Sequence, residues 1–130
     1  MQKTELVVRF LLVLMLLVFG LNKFLHFMPQ PEAPEEGGKF LGALFGAGYV
    51  FPTIGIVFLA SALLLVAKRV VLALLLLAPI AVNIIGYHMA YDIAGIGGGA
   101  LLTVLMGILT VLHIRSLGLL LRANVLSTDS

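Results

Sequence analysis

Four long apolar runs, separated only by short polar or glycine-rich breaks, occupy nearly all of this 130-residue chain. They lie at residues 6–27, 51–67, 70–91 and 100–121. Hydrophobic residues make up 62% of the chain and charged residues only 11%, which is far from the composition of a soluble domain. At a rise of ~1.5 Å per residue, about 20 apolar residues cross a hydrocarbon core. The sequence therefore predicts an all-α, polytopic membrane protein: one integral membrane domain over 1–130, folded as a four-transmembrane-helix bundle.

The break between the first two runs predicts an additional short helix. Residues 28–38 carry three prolines, which lack an amide donor and restrict the residues before them, so we expect an extended, acidic cap. Residues 39–49 have a helical composition, and Pro52 suits the first turn of a new helix. We therefore predict a short extra half-helix before the second span. The alternative is one kinked helix over 39–67.

The charged residues sort by membrane side if the four spans alternate in direction. One side carries most of the basic residues, namely Lys3, Arg9, Lys68, Arg69, Arg115 and Arg122. The other side carries Lys23 and Lys39 beside the acids Glu32, Glu35, Glu36 and Asp92. Because cytoplasmic loops carry an excess of Lys and Arg, both termini are predicted to be cytoplasmic. The expected location is the inner membrane of a bacterium or archaeon.

Residue content argues against several kinds of chemistry. The chain has no cysteine, which excludes a thiol nucleophile, a dithiol relay and a thiolate metal site. Its net charge of +2 is small and scattered, so we expect no nucleic-acid partner. No carboxylate pair falls inside a span, and His113 lies at the opposite membrane side from His26 and His88. We therefore predict no metal site and no catalysis by this chain alone.

Polar side chains that could bind a ligand gather at the outer ends of the first and third runs. The candidates for hydrogen-bonding a quinone carbonyl or a lipid headgroup are Lys23, His26, Asn83 and His88. Structural or pathway roles are assigned to Arg9, Asn22, Tyr87, Tyr91 and Asp92. An ordinary membrane interface would select the same residues, as a snorkelling lysine, an aromatic belt and a local pair between His88 and Asp92. Both interpretations stay open at this point.

Helical spacing predicts which faces of the spans pack together. Pro79, Asn83, Gly86 and Ala90 align on one face of the third span, so Asn83 is expected to point into the bundle. The orientation of three further sets of positions is predicted as well. Gly107 and Thr110 of the fourth span and Gly55, Phe58 and Ala62 of the second are expected to contact other helices, whereas 72–77 should largely face lipid or a partner.

Short motifs along the chain resemble the DoxX family of small four-span membrane proteins. They are Arg9-Phe10, the stretch 19–24, Phe51-Pro52 with Gly55, and the stretch 74–79 leading to Asn83, His88 and Asp92. The resemblance covers most of residues 5–115. It implies a four-span fold and an association with membrane oxidoreductase assemblies, including quinone-linked ones. Members of this type often carry an acidic residue in the second helix, where this chain has Phe58, and that departure favours an accessory role.

Three functions are therefore expected as alternatives. The first is a DoxX-like accessory subunit that packs in a larger redox or respiratory membrane complex, in contact with lipid and with protein partners or copies of itself. The second is a quinone-binding subunit of an oxidoreductase, with quinone as the candidate cofactor at Lys23, His26, Asn83 and His88. The third is a small transporter or lipid-handling protein in which Arg9 and Asn83 line a pathway.

Overall fold

Helices account for the regular structure of the chain, in a computed structural model that describes residues 2–28 and 33–129. Within these ranges there are six α-helices, one short 3₁₀ turn at Ile93–Gly95 and no β-strand. The helices are α1 (Gln2–Leu25), α2 (Glu35–Gly46), α3 (Val50–Val66), α4 (Val70–Tyr91), α5 (Gly97–Leu112) and α6 (Ile114–Asp129). The all-α prediction is thereby confirmed for the described part of the chain.

Two of the helices are long and apolar enough to cross a membrane by themselves. These are α1, over Lys3–Leu25, and α4, each with more than 20 residues and very few charges. Two bent pairs pass the same test if each pair is taken as one span: α2 with α3, and α5 with the first part of α6. The described residues thus contain two to four candidate spans, which indicates an integral membrane protein.

Four helices pack around a common apolar core. Helix α1 contacts α3 and α5, and α4 contacts the same two helices from the other side. The largest fully buried apolar side chains come from all four helices: Leu12, Leu16, Leu65, Leu77 and Leu109. The outside is apolar as well, with many exposed Leu, Val and Phe side chains. Such an exterior suits contact with lipid tails, because in water it would be one large exposed apolar surface.

The helix that precedes the second run is separate from it, as the half-helix prediction requires, but it occupies Glu35–Gly46 instead of 39–49. The extended cap predicted over 28–38 is therefore wrong at 35–38, where the chain is helical. Helix α2 meets α3 at an angle of 82°, so the alternative of one kinked helix over 39–67 is wrong. Gly48 adopts a φ of 84° between them, a conformation that glycine reaches without steric cost. Pro52 lies in the first turn of α3, where its missing amide hydrogen costs no helical hydrogen bond.

The fourth run is not one straight span. The sequence predicts a helix over 100–121, whereas α5 ends at Leu112 and α6 begins at Ile114, bent by 70° at His113. Polar residues, His113, Arg115 and Ser116, lie at the bend, and the leucines that resume at Leu117 made the run look continuous. At its other end α5 begins at Gly97, inside the glycine-rich segment 95–99.

Close approach of two helices is confirmed at the contact between α1 and α3. Gly55, Phe58 and Ala62 are buried, as predicted. A Cβ atom at Gly55 would lie 2.7 Å from Cε2 of Phe24 and 2.9 Å from Cβ of Lys23. Gly20 of α1 is similarly close to α3, since its Cβ would lie 3.1 Å from Phe58. Glycine at these positions lets the two helices approach closely.

The predicted orientation of the third and fourth runs is wrong at three positions. Asn83 is exposed and its Nδ2 donates to the carbonyl of Pro79, 2.8 Å away on the same helix. Gly86 and Gly107 are also exposed, and a Cβ at either would meet nothing within 4 Å. Spacing identifies residues that share a face but not which face is buried. In α4 the buried face is the one with Ala73, Leu74, Leu77 and Ala81.

Two further predictions about helix orientation, for Thr110 and for the stretch 72–77, have a mixed outcome. Thr110 is half-buried, but its hydroxyl donates to the carbonyl of Met106 on its own helix, 2.8 Å away. Within 72–77, Leu72, Leu75 and Leu76 are exposed as expected, whereas the other members of the stretch are buried. The leucine-rich half of α4 therefore presents one side to the core and one side to the surroundings.

Replacing a glycine with leucine should destabilise the protein where the glycine is buried in the core and not where it lies at the surface. Gly55→Leu should lower the free energy of unfolding by about 1–3 kcal/mol, because the new side chain has no space beside Phe24. Gly107→Leu should leave it unchanged, since the surroundings of Gly107 are open. Unfolding in mixed detergent micelles measures both. Destabilisation by Gly107→Leu with none by Gly55→Leu would mean that the helices are rotated from the positions described.

Candidate functional site

The candidate residues lie at two ends of the helix bundle. We call the end formed by Leu25, Tyr91 and Gly97, beside α2, the α2 end. We call the opposite end, formed by the start of α1, the turn between α3 and α4, and His113, the Arg9 end. The sequence places the four predicted ligand-binding residues at or towards the α2 end: Lys23, His26, Asn83 and His88.

Lys23 is half-buried where α1 packs against α3. Its Nζ lies 5.8 Å from the centre of the Phe51 ring, within the range of a cation–π interaction. The stem of the same side chain lies against Gly55. Lys23 therefore reaches sideways to the start of α3.

Asn22 and His26 close the carboxyl end of α1. The amide of His26 donates to the carbonyl of Asn22 at 2.9 Å, and His26 has a φ of 51°, in the left-handed region that commonly ends a helix. The buried Asn22 side chain accepts a hydrogen bond from the amide of Met28 at 2.8 Å. Asn22 thus has a structural role, while the ring of His26 is exposed.

An aromatic cluster joins α2 to the end of α4. The ring of Phe40 stacks with those of Tyr87 and Tyr91, at centroid distances of 5.9 and 5.5 Å. The hydroxyl of Tyr87 is buried and has no hydrogen-bond partner among the described residues. A Cβ at Gly37 would lie 2.8 Å from that hydroxyl, so glycine is required for α2 to cover it this closely.

His88 stands beside this cluster but pairs with the backbone. Its Nδ1 lies 3.1 Å from the carbonyl oxygen of Asp92, to which it donates in the tautomer protonated at Nδ1. The Asp92 carboxylate instead accepts a hydrogen bond from the amide of Gly95 at 3.2 Å. The predicted local pair of His88 and Asp92 therefore exists only as a contact between ring and main chain.

The four predicted ligand-binding residues do not form a shared polar network among the described residues. Lys23 faces α3, and His88 lies near Gly99 at the start of α5. His26 and Asn83 are exposed. Within the described residues, no hydrogen bond or ion pair joins any two of the four. Their ligand-binding role stays a prediction.

The best-developed polar network lies at the Arg9 end. Arg9 is only 8% exposed, and its Nη1 donates to the carbonyl of Leu65 in α3 at 2.9 Å. Its Nε lies 3.0 Å from the Glu5 carboxylate, and the same carboxylate oxygen lies 3.3 Å from Nε2 of His113. Three elements are thereby tied together: α1, α3 and the junction between α5 and α6.

Sequence reasoning missed two members of this network, Glu5 and His113. The spacing of four between Glu5 and Arg9 was a visible signal, because such residues are neighbours on a helix. The third member was not visible, since Glu5 and His113 are 108 positions apart. Only the return of α5 alongside α1 brings them together.

Two clefts open on this half of the molecule. The larger has a volume of about 510 Å³ and is lined by Glu5, Leu6, Arg9, Lys68, Val70, Leu112 and His113. The smaller, about 190 Å³, lies between α4 and α5 and has a mainly apolar lining that includes Met106 and Thr110. Neither cleft is lined by any of the four predicted ligand-binding residues.

Comparison with known proteins gives no match for this chain among protein-family models, curated proteins or solved structures. The resemblance to the DoxX family and the functions that it implies therefore stay predictions.

Proposed function

We propose that this chain is a DoxX-like accessory subunit that packs within a larger membrane complex of the redox or respiratory type. The observation that carries the proposal is the exposed face of α4 around Asn83 and Gly86. Pro79 and Ala90 share this face by helical spacing and are exposed as well. We call these four residues the Asn83 face.

A polar amide in the middle of an apolar helix favours contact with another helix. The Nδ2 of Asn83 donates to Pro79, which leaves the side-chain oxygen and the second amide hydrogen for a further partner. Lipid tails offer no such partner, whereas side chains on a packed helix do. The open space over Gly86 would let the backbone of that helix approach closely.

An accessory role also agrees with the chemistry of the core. Phe58 is buried at the position where DoxX-like proteins often carry an acid, so the second helix has no carboxylate for proton transfer there. The charged pair of Arg9 and Glu5 is engaged in holding α1, α3 and α5 together. These features favour a scaffold over a catalytic subunit.

The proposal includes four membrane crossings, with each bent helix pair forming one span, and the Arg9 end on the cytoplasmic side of the inner membrane. Because the chain has no cysteine, single cysteines report this topology without background. Ala33→Cys should react with an impermeant maleimide on intact cells, and Ser127→Cys should react only after lysis. The reverse pattern would refute the orientation.

Photo-crosslinking in native membranes tests the contact itself. A photoreactive residue is placed at Leu76, which lies two helical turns from Asn83 on the same side of α4. It should form an adduct whose mass exceeds that of a dimer of the 13.9 kDa chain. Gly86→Leu should abolish the adduct, and Gly107→Leu on α5 should not. An equal yield from Leu63, an exposed position on α3, would contradict a specific partner on α4.

The second candidate function is quinone binding, which the buried hydroxyl of Tyr87 favours. This hydroxyl lacks a partner, and the ring of His88 lies 5.1 Å from that of Tyr87 between centroids. A quinone carbonyl could accept a hydrogen bond from the hydroxyl of Tyr87. Quinone extracted from the purified protein, and lost on Tyr87→Phe but not on Tyr49→Phe, would support this function over the accessory one.

A further inference from the structure

The cleft at the Arg9 end combines cationic side chains with an apolar wall. Arg9, Lys68 and His113 supply groups that are cationic or can become so, and Leu6, Val70 and Leu112 supply the apolar part. Glu5 is the acid among the lining residues, and it contacts Arg9 and His113. Lys68 forms no ion pair within the described residues, so its charge is not offset there.

Arg9 is buried without full use of its hydrogen-bonding capacity. Its Nε lies 3.0 Å from Glu5, but no aligned hydrogen bond forms at that nitrogen. Of the five donors of a guanidinium, one bond, from Nη1 to the carbonyl of Leu65, is made with aligned geometry. Arg9 already has one anion in Glu5, and the guanidinium hydrogens that it does not use remain for a second acceptor such as a phosphate oxygen.

The start of α4 lies at the edge of the same cleft. Val70 begins the helix and lines the cleft, and no side chain caps this helix end. The first hydrogen bond into α4 comes from the amide of Ala73, and the amides of residues 70–72 have no backbone partner among the described residues. Free amides and the positive end of the helix dipole favour a negatively charged group, above all a phosphate.

We propose that this cleft binds a phosphate-bearing anion, and that the phosphate belongs to the headgroup of an anionic phospholipid. Lys68 and the amides of residues 70–72 would hold the phosphate at the rim, with Arg9 beneath it. The apolar side chains Leu6, Val70 and Leu112 would contact the first part of an acyl chain. A free phosphate ion would use the cationic groups alone, so the apolar wall distinguishes the two sources.

The negative charge of Glu5 predicts the direction in which the affinity for an anion changes when that charge is removed. Its carboxylate shares Arg9 and His113 with the ligand, so it competes with a bound anion and repels it. Removal of this charge by Glu5→Gln should therefore tighten anion binding. Removal of the charge of Lys68 should weaken it. A site for a cation or for a neutral lipid would not respond in this way.

The experiment measures binding of short-chain phosphatidylglycerol to the whole chain in neutral detergent by native mass spectrometry, with phosphatidylcholine as the comparison lipid. Lys68→Gln should lower the affinity for phosphatidylglycerol about tenfold, as expected for the loss of one charge-assisted hydrogen bond. Lys39→Gln is the matched control, because Lys39 is exposed at the α2 end and its removal should change nothing. Glu5→Gln should raise the affinity.

Three results would overturn the proposal. They are equal binding of the two lipids, equal loss on Lys68→Gln and Lys39→Gln, and an unchanged or lower affinity of a folded Glu5→Gln variant. Displacement of the lipid by inorganic phosphate at the same concentration would overturn the lipid as the source of the phosphate. Lys68 is exposed in a turn, so its variant should fold even if Glu5→Gln does not.

Discussion

Arg9→Gln should lower the free energy of unfolding by roughly 3 kcal/mol, the cost expected when one partner of a buried ion pair is removed. Glutamine is too short to keep both the contact with Glu5 and the hydrogen bond to the carbonyl of Leu65. The Glu5 carboxylate, which is 21% exposed, would then lose its cation in a poorly hydrated site. Chemical unfolding in micelles, followed by circular dichroism, measures the change.

Lys39→Gln provides the matched control for Arg9→Gln. Lys39 also pairs with carboxylates one helical turn away, at 3.6 Å from Glu35 and 3.5 Å from Glu36, but both sides of these pairs are exposed. Exposed pairs of this kind contribute at most about 1 kcal/mol. If Arg9→Gln proved as mild as Lys39→Gln, the network at the Arg9 end would not hold the helices together.

Leu77→Ala should lower the free energy of unfolding by about 2–5 kcal/mol, because it leaves a cavity at the centre of the bundle. Leu77 is fully buried against the other helices, whereas Leu75, two residues away on α4, is 48% exposed. Leu75→Ala removes the same atoms from the surface and should cost well under 1 kcal/mol. The same unfolding measurement applies to both.

The comparison of these two leucines checks the orientation of α4. A larger loss from Leu75→Ala than from Leu77→Ala would place the Asn83 face inside the bundle, as helical spacing first suggested. The accessory function would then lose its main support, because Asn83 would already have a partner helix within the chain.

Apolar runs predicted the lengths of the spans where charges mark their limits. The third run was expected at 70–91 and α4 occupies Val70–Tyr91, since Lys68 and Arg69 precede it and Asp92 follows it. The second run is predicted at 51–67 and α3 occupies Val50–Val66, where Lys68 and Arg69 mark the end and Pro52 marks the first turn. The fourth run has a comparable mark in Arg115, two residues after His113, but the leucines that resume at Leu117 favour a continuous span, and the sequence therefore does not predict the bend.

The rotation of the helices could not be predicted from this sequence. In a soluble protein the buried face is the apolar one, but here both faces of α4 are apolar and only packing decides between them. Asn83 and Gly86 were therefore assigned to the wrong side. The partnership of Glu5 with His113 was missed for a related reason, since it depends on how α1 and α5 are placed relative to each other.

The mass of the complex that contains this chain tests the accessory function most directly. The chain and its surrounding lipid can be extracted from native membranes in polymer nanodiscs, and the protein components then weighed by native mass spectrometry. We expect a complex whose mass is not a multiple of 13.9 kDa, and Gly86→Leu should release the chain from it. A chain found alone, or only in multiples of its own mass, would contradict the proposed function.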